Sequence, residues 1–482
     1  MKPMTIKPII YSALLMLGLT ACSLNEVPPS ALAPANFYTS SSDAVAAVNS
    51  VYDIANQVGD QSRNFIIMGD IPSDDMNLLL NNADRVQIWS FQTIPTNGVV
   101  AQSWQILYQG VNRANSAIER IPGITMDESL KKRLIGEAKF MRAFYYLYLV
   151  RWYGGVPLML TETKTLNAGR DTERATAAEV YAQITKDLTD AETALPDRFT
   201  GADLGRATAG AAKGMLARVY LTQKDYTKAR DKSKELIDNA SKYGYGLFDR
   251  YADVFAIANK NGRESVFEIQ FVGQGTGQGS GMTTYFAPEN SPVTGRGFGS
   301  FYPTTELYNS FDPADKRREL FITSYVNGAG QTVNTFQHFN KYVDPAARAF
   351  GDANNNFPII RYADVLLMFA EAENELSGPT PAALNAANPI RRRAFGLPLN
   401  APSAQDFTAT LGKDGFRQKL YEERRLEFNA EGQRWFDLVR TGRLVSVTKA
   451  KGKTNVQETH TLFPIPQREI DLNPKLTQNP GY

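Results

Sequence analysis

A chain of 482 residues, 43% hydrophobic and 21% charged, can bury a large core and is too apolar to remain unfolded. Its formal charge of +2 excludes nucleic acid as the main partner, because phosphate binding needs a surplus of Lys and Arg on one face. A single cysteine excludes an intrachain disulfide and argues against a cysteine-based metal or redox site.

In chain order, the first signal is a leader. Lys2 and Lys7 flank the start of an apolar run, Ile9 to Leu19, too short to span a bilayer and suited to a signal-peptide core. It ends in Leu19-Thr20-Ala21-Cys22, a lipobox, in which a diacylglycerol alkylates the cysteine before cleavage. Residues 1–21 are therefore expected to be a lipoprotein signal peptide and Cys22 the lipid anchor. Several acyl chains on one cysteine anchor stably where one chain does not. Residues 22–36 read as a Pro- and Ala-containing tether. Losing Lys2 and Lys7 leaves a mature chain of zero net charge, which suits a neutral ligand.

From Ser42 the pattern is mainly helical. Ser42 to Gln57 is the first helix. Ala101 to Ile121 follows, with Trp104, Leu107, Tyr108, Val111, Ala114 and Ile118 at three- and four-residue spacing, and Pro122-Gly123 ends it. Leu130 to Trp152 is stopped by Gly154-Gly155, and Thr176 to Ala194 by Pro196. Ala207 to Leu221 and Tyr226 to Ala240, joined at Lys224-Asp225, set small residues against bulky ones as tetratricopeptide repeats do. Arg361 to Leu376 and Pro381 to Phe395 form a similar pair. The expected fold is mostly α, a tetratricopeptide-like scaffold of about four helix pairs. Helical regions at 37–241 and 359–482 bracket a loop-rich insertion at 242–358. That insertion holds a predicted strand at Ser265 to Val272 and a Gly-rich run, Gly273 to Gly281. Long loops in a compact protein are usually functional, so the insertion is expected to bind ligand. Near the end, Phe416 to Arg440 reads as one strong helix.

Several stretches together resemble the SusD/RagB family of outer-membrane nutrient-binding lipoproteins. They are Ala138 to Tyr146 running into Trp152-Tyr153-Gly154-Gly155-Val156-Pro157-Leu158, then Arg361 to Ala372, and Ile390 to Pro398. Glu423-Arg424-Arg425-Leu426-Glu427-Phe428, Gly432 to Arg440, Phe463-Pro464-Ile465-Pro466 and the Asn-Pro-Gly-Tyr terminus complete the series. The resemblance spans the mature chain in order. It implies a non-enzymatic protein that captures oligosaccharide at the cell surface and delivers it to a SusC-type TonB-dependent transporter. It also implies the outer membrane as location, with the lipid anchor holding the protein on the outward face. A RagB-type, peptide-binding member and a helical scaffold that only docks partners remain alternatives. Tyr145, Trp152 and Trp435, at helical spacing, are expected in the core. The charges from Glu422 to Arg440 are expected to form ion pairs such as Glu422–Arg425 and Glu431–Arg434, or an inter-helix network.

Sugar binding needs flat apolar faces for C–H groups, with amides and carboxylates for hydroxyls. Loop aromatics off any helical period point to two regions. One is Asp74-Asp75-Met76-Asn77 through Asn81, Asn82, Arg85 and Trp89. The other is Tyr285-Phe286 with Phe298 to Tyr302. The expected ligand contacts are Asp75, Asn77, Arg85, Trp89, Tyr285, Phe286, Phe298 and Tyr302, and Trp89→Ala or Tyr302→Ala is expected to weaken glycan binding without unfolding. Gly273 to Gly281 lacks the spacing of a phosphate loop. Asp352-Ala353-Asn354-Asn355-Asn356 opens like a calcium loop, but Phe357 stands where glycine is needed and Ala363 where the bidentate acid is needed. No cofactor is implied, and a structural calcium on scattered loop oxygens stays open. The two histidines, His338 and His460, lack a Gly-x-Ser-x-Gly elbow, and the adjacent pairs Asp74-Asp75 and Glu422-Glu423 point apart, which argues against catalysis.

Overall fold

The computed structural model describes residues 37–57, 63–165, 169–289, 291, 297–347 and 349–482. The expected signal peptide, Cys22 and the tether lie outside the described residues. In chain order the main elements are α1 (Ser41–Gln57), α2 (Arg63–Gly69), β1 (Met76–Leu78), α3 (Ala83–Trp89), α4 (Gly98–Arg120), α5 (Glu128–Tyr153) and α6 (Ala177–Ala194). Next come α7 (Ala209–Thr222), α8 (Tyr226–Asp238), β2 (Ser265–Ile269), α9 (Met282–Phe286), β3 (Phe301–Pro303), α10 (Thr305–Ser310), β4 (Phe321–Val326), β5 (Thr332–Phe339) and β6 (Phe357–Arg361). The chain then forms α11 (Tyr362–Ser377), α12 (Pro381–Ala394), α13 (Gly412–Glu427) and α14 (Arg434–Arg440).

Local signals set the helix limits. Asp127 Oδ1 accepts the Leu130 N–H at 2.8 Å to open α5, and Gly154, at φ 75°, ends it. Thr176 and Glu179 form a reciprocal capping box on α6. Thr380 caps α12, with Pro381 in its first turn. The helices then pack in series: α1 on α4, α4 on α5, α5 on α6, α6 on α7, α7 on α8, α8 on α11, and α11 on α12 and α13. This is a mostly helical array of the expected kind. Tyr145, Trp152 and Trp435 lie in its core. The Tyr145 hydroxyl, buried with its ring, donates to the Val51 carbonyl.

The predicted strand at 265–272 ends at Ile269, and it pairs antiparallel with β6, Phe267 opposite Ile360 and Ile269 opposite Phe357. The insertion is thereby joined to the strand that feeds α11.

The single helix expected from Phe416 to Arg440 is instead two. The helix breaks at 428–433, where Ala430 and Gly432 take positive φ (57° and 69°). The Asp70 carboxylate accepts the N–H groups of Gly432 (2.7 Å) and Arg434 (3.1 Å), which lie at the start of α14. Gly69 abuts Gly432, where a Cβ would meet the carbonyl carbon at 2.7 Å. Backbone partners far away in sequence outweigh the helical pattern here.

The expected pairs Glu422–Arg425 and Glu431–Arg434 are replaced by pairs between elements. Within α13, Glu422 meets Lys419 instead, whereas between elements Arg425 reaches Asp75 and Arg434 reaches Asp74. Glu431 holds Arg361 (2.8 Å) and Lys341 (2.9 Å). Glu427 accepts from Arg361 (3.0 Å), Arg393 (2.6 Å) and Arg317 (3.4 Å), and Glu264 from Arg361 (2.6 Å). Burial opposes the Glu427 charge, but these cations and Lys341 outweigh it and bring its carboxyl down to about 2. The network is buried, so each member depends on the others for charge compensation.

Candidate ligand-binding surface

The two regions singled out in the sequence meet at one strand pairing. β1 pairs antiparallel with β3, placing Asn77 opposite Tyr302 and Leu78 opposite Phe301. The hairpin of β4 and β5 packs beside β3. Arg85, on α3, lies 5.5 Å from the Tyr285 ring centre and 5.4 Å from that of Phe301, and Arg63 donates to the Tyr285 hydroxyl at 2.7 Å.

Two aromatic groups result. Tyr285 stacks on Phe301 (5.3 Å, 27°) and takes the edge of Phe350 (5.5 Å), while Phe298 lies parallel to Phe350 (6.2 Å, 21°). Beside them Tyr302 meets Phe336 at 4.6 Å, and Phe336 meets His338 at 4.4 Å. Phe336 is 50% exposed, Phe298 45% and Phe350 42%. Leu80, just beyond β1, is 70% exposed. Large apolar side chains left open to water mark a contact site where they cluster, as Phe298 does with Phe350 and Phe336 with Tyr302. His338 is buried beneath Phe336, and burial pushes its imidazole down to about 4, so this ring is neutral near neutral pH.

Five of the expected ligand contacts retain access: Asn77, Arg85, Trp89 and Tyr302 are half-buried and Phe298 is exposed. The other three are corrected. Asp75 is buried, and its carboxylate takes the Arg425 Nε at 2.6 Å, so it fastens β1 to α13. Burial pushes the Asp75 carboxyl up to about 6; burial also opposes the Asp74 charge, but Arg434 and Arg425 overcome it and hold Asp74 near 2. Of the residues that retain access, Trp89 has the Lys453 ammonium 5.2 Å from its ring centre, on one face. Phe286 is fully buried against Phe339 and Tyr342, and Tyr285 is buried under Phe350. These rings support the surface from below.

Sequence reasoning missed Phe336 and Phe350. Phe336 shares the exposed face of β5 with Thr332 and Asn334, and an aromatic side chain on a polar strand face is a readable signal. Phe350, between Ala349 and Gly351, meets the loop-aromatic criterion that selected Phe298.

The run at 352–356 spends its side chains on the Gly-rich loop. Asp352 Oδ1 accepts the Gly275 N–H (2.7 Å), Asn354 Oδ1 that of Gly273 (3.0 Å), and Asn356 Oδ1 that of Phe271 (2.9 Å). Among the described residues no group of three or more His, Cys, Asp or Glu side chains could hold a metal ion, and no helix is long and apolar enough to cross a membrane.

A family model described as starch-binding and associating with the outer membrane matches residues 24–221, and the SusD family model matches residues 321–482. The chain belongs to the SusD family. SusD-like protein P2 of Formosa agariphila is 29% identical to it, over 97% of this chain and 98% of that one. Among solved structures, a laminarin-binding SusD-like protein superposes with a TM-score of 0.80 at 28% identity, covering 92% of this chain and 100% of that one. Surface glycan-binding protein A of Bacteroides thetaiotaomicron, in complex with laminarihexaose, gives 0.77 at 25% identity, with 92% and 100% covered. In this SusD-family chain, the motif residues Arg361, Arg393, Glu423 and Glu427 all belong to the buried ion-pair network. They are architectural, and the aromatic surface is assembled from residues outside the motifs.

Proposed function

We propose that this chain is a lipid-anchored outer-membrane protein that captures oligosaccharide on the aromatic surface and passes it to a SusC-type TonB-dependent transporter. The observation that carries this reading is two exposed ring groups, Phe298 with Phe350 and Phe336 with Tyr302, backed by buried aromatics. Exposed ring faces pack against the C–H faces of sugars, and the neighbouring Asn77 and Arg85 supply donors for hydroxyls. The glycan ligands of the two solved relatives support the same ligand class. The lipobox at Leu19 to Cys22 supports the anchor, and the transporter partner follows from family membership. The role is binding without chemistry: Asp74, Asp75 and Glu423, from the adjacent carboxylate pairs, are committed to arginines.

The test is calorimetric titration of the chain from Ser23 onward with laminarin, starch and xylan and with a peptide digest, repeated on Phe336→Ala. Glycan heat that falls at least fivefold in affinity in the variant, at unchanged melting temperature, is expected, since truncating an anchoring aromatic costs about 1 kcal/mol or more. Heat with peptides alone moves the reading to a peptide-capturing member, and silence from every ligand removes it.

A further inference from the structure

Two sequence features, the Gly-rich run at 273–281 and the Asp-Ala-Asn-Asn-Asn run at 352–356, fall outside the motifs of the family resemblance. The structure locks them together. Ser280 pairs antiparallel with Ala353, and Val272 with Gln278, closing a small hairpin against the 351–353 segment. Glycine is required at Gly279, where a Cβ would lie 2.8 Å from the Asp352 Cα. Gln274, although not glycine, sits at φ 61°, its N–H on the Asp352 carbonyl (3.3 Å), while the next N–H, of Gly275, goes to the Asp352 carboxylate. A side chain held in the left-handed region costs of order 1 kcal/mol and persists only where its surroundings enforce it.

The pinned hairpin forms one wall of an open cleft of about 680 Å³, within the size range of ligand sites. Gln274 and Asp352 line it with polar groups, Ala346 and Ala349 leave its other side low, and Phe350 stands at its edge. Phe350 is also the partner of Phe298 in the exposed stack, so the cleft and the aromatic surface are continuous.

We infer that this cleft is a second subsite, holding further sugar units of the same glycan chain beyond those on the aromatic rings. It selects for an extended oligosaccharide over a short one. This rests on the glycan-capture reading above. The Gln274 amide both donates to and accepts from hydroxyls. A wall fixed before binding adds contacts without a matching ordering cost, so extra units add affinity.

The experiment titrates the chain from Ser23 onward with laminari-, malto- and xylo-oligosaccharides of two and six units. It compares wild type with Ala346→Trp, Ala349→Trp and Gln274→Ala. The tryptophans fill the cleft from exposed positions and leave the rings untouched. In the series that binds, the six-unit ligand should be at least tenfold tighter than the two-unit one. Each tryptophan should abolish that advantage, and Gln274→Ala should reduce it, with two-unit affinity and melting temperature unchanged. Equal affinity for the two lengths, or an advantage that survives both tryptophans, overturns the subsite while leaving glycan capture intact. Silence from all three series at both lengths instead sinks glycan capture, and the subsite with it.

Discussion

Replacing Glu427 with glutamine tests whether the motif charges hold the fold together. The side chain is fully buried and accepts from Arg361 and Arg393 at 3.0 and 2.6 Å, with Arg317 at 3.4 Å. Its carboxyl falls from 4.5 to about 2 on folding, a gap equivalent to about 3 kcal/mol at neutral pH. The general cost of breaking a buried pair, about 3–5 kcal/mol, agrees. A depressed acid contributes its full stability above the unfolded value of 4.5 and loses it as pH falls toward 2. The deficit of Glu427→Gln should therefore shrink to about 1.4 kcal/mol at pH 3. Urea unfolding followed by tryptophan fluorescence, at pH 7 and in acid, measures both. Glu422→Gln, which touches only the exposed Lys419 pair, should leave the midpoint unchanged. A Glu427→Gln deficit below about 1 kcal/mol at neutral pH, or one that does not shrink in acid, would refute the reasoning.

Burial lowers the His338 imidazole from 6.5 to about 4, so the fold favours its neutral form. That contribution is complete above 6.5 and is lost as pH falls through 4. An NMR titration of His338 should give a midpoint near 4, and one near 6.5 would show that the ring is solvated. Gly69→Ala forces a Cβ into the Gly432 backbone and should cost about 1–3 kcal/mol, read as a lower melting temperature, while Gly123→Ala, with open space around it, should not. Trp89→Ala should cost about 2 kcal/mol in unfolding experiments, because a half-buried ring is lost from under Lys453.

The sequence by itself determined the helical scaffold. Ala-rich periods, the caps at Thr176 and Thr380, and stops such as Gly154 are local, so α1, α4 to α8, α11 and α12 were legible to within a few residues. It also picked out two of the stretches that carry the candidate site, Asn77 to Arg85 and Phe298 to Tyr302, but not Phe336 or Phe350. Tertiary structure decided what pairing and burial decide. The sequence shows aromatics in two segments some two hundred residues apart; only β1–β3 pairing brings them together. Asp75 looks like a ligand contact until Arg425 takes its carboxylate, because a partner so distant in sequence leaves no trace in a local pattern. The break at Gly432 follows the same rule. The helix period continues through it, but backbone bonds to Asp70 and close approach to Gly69 stabilise the turn more than the pattern stabilises a helix.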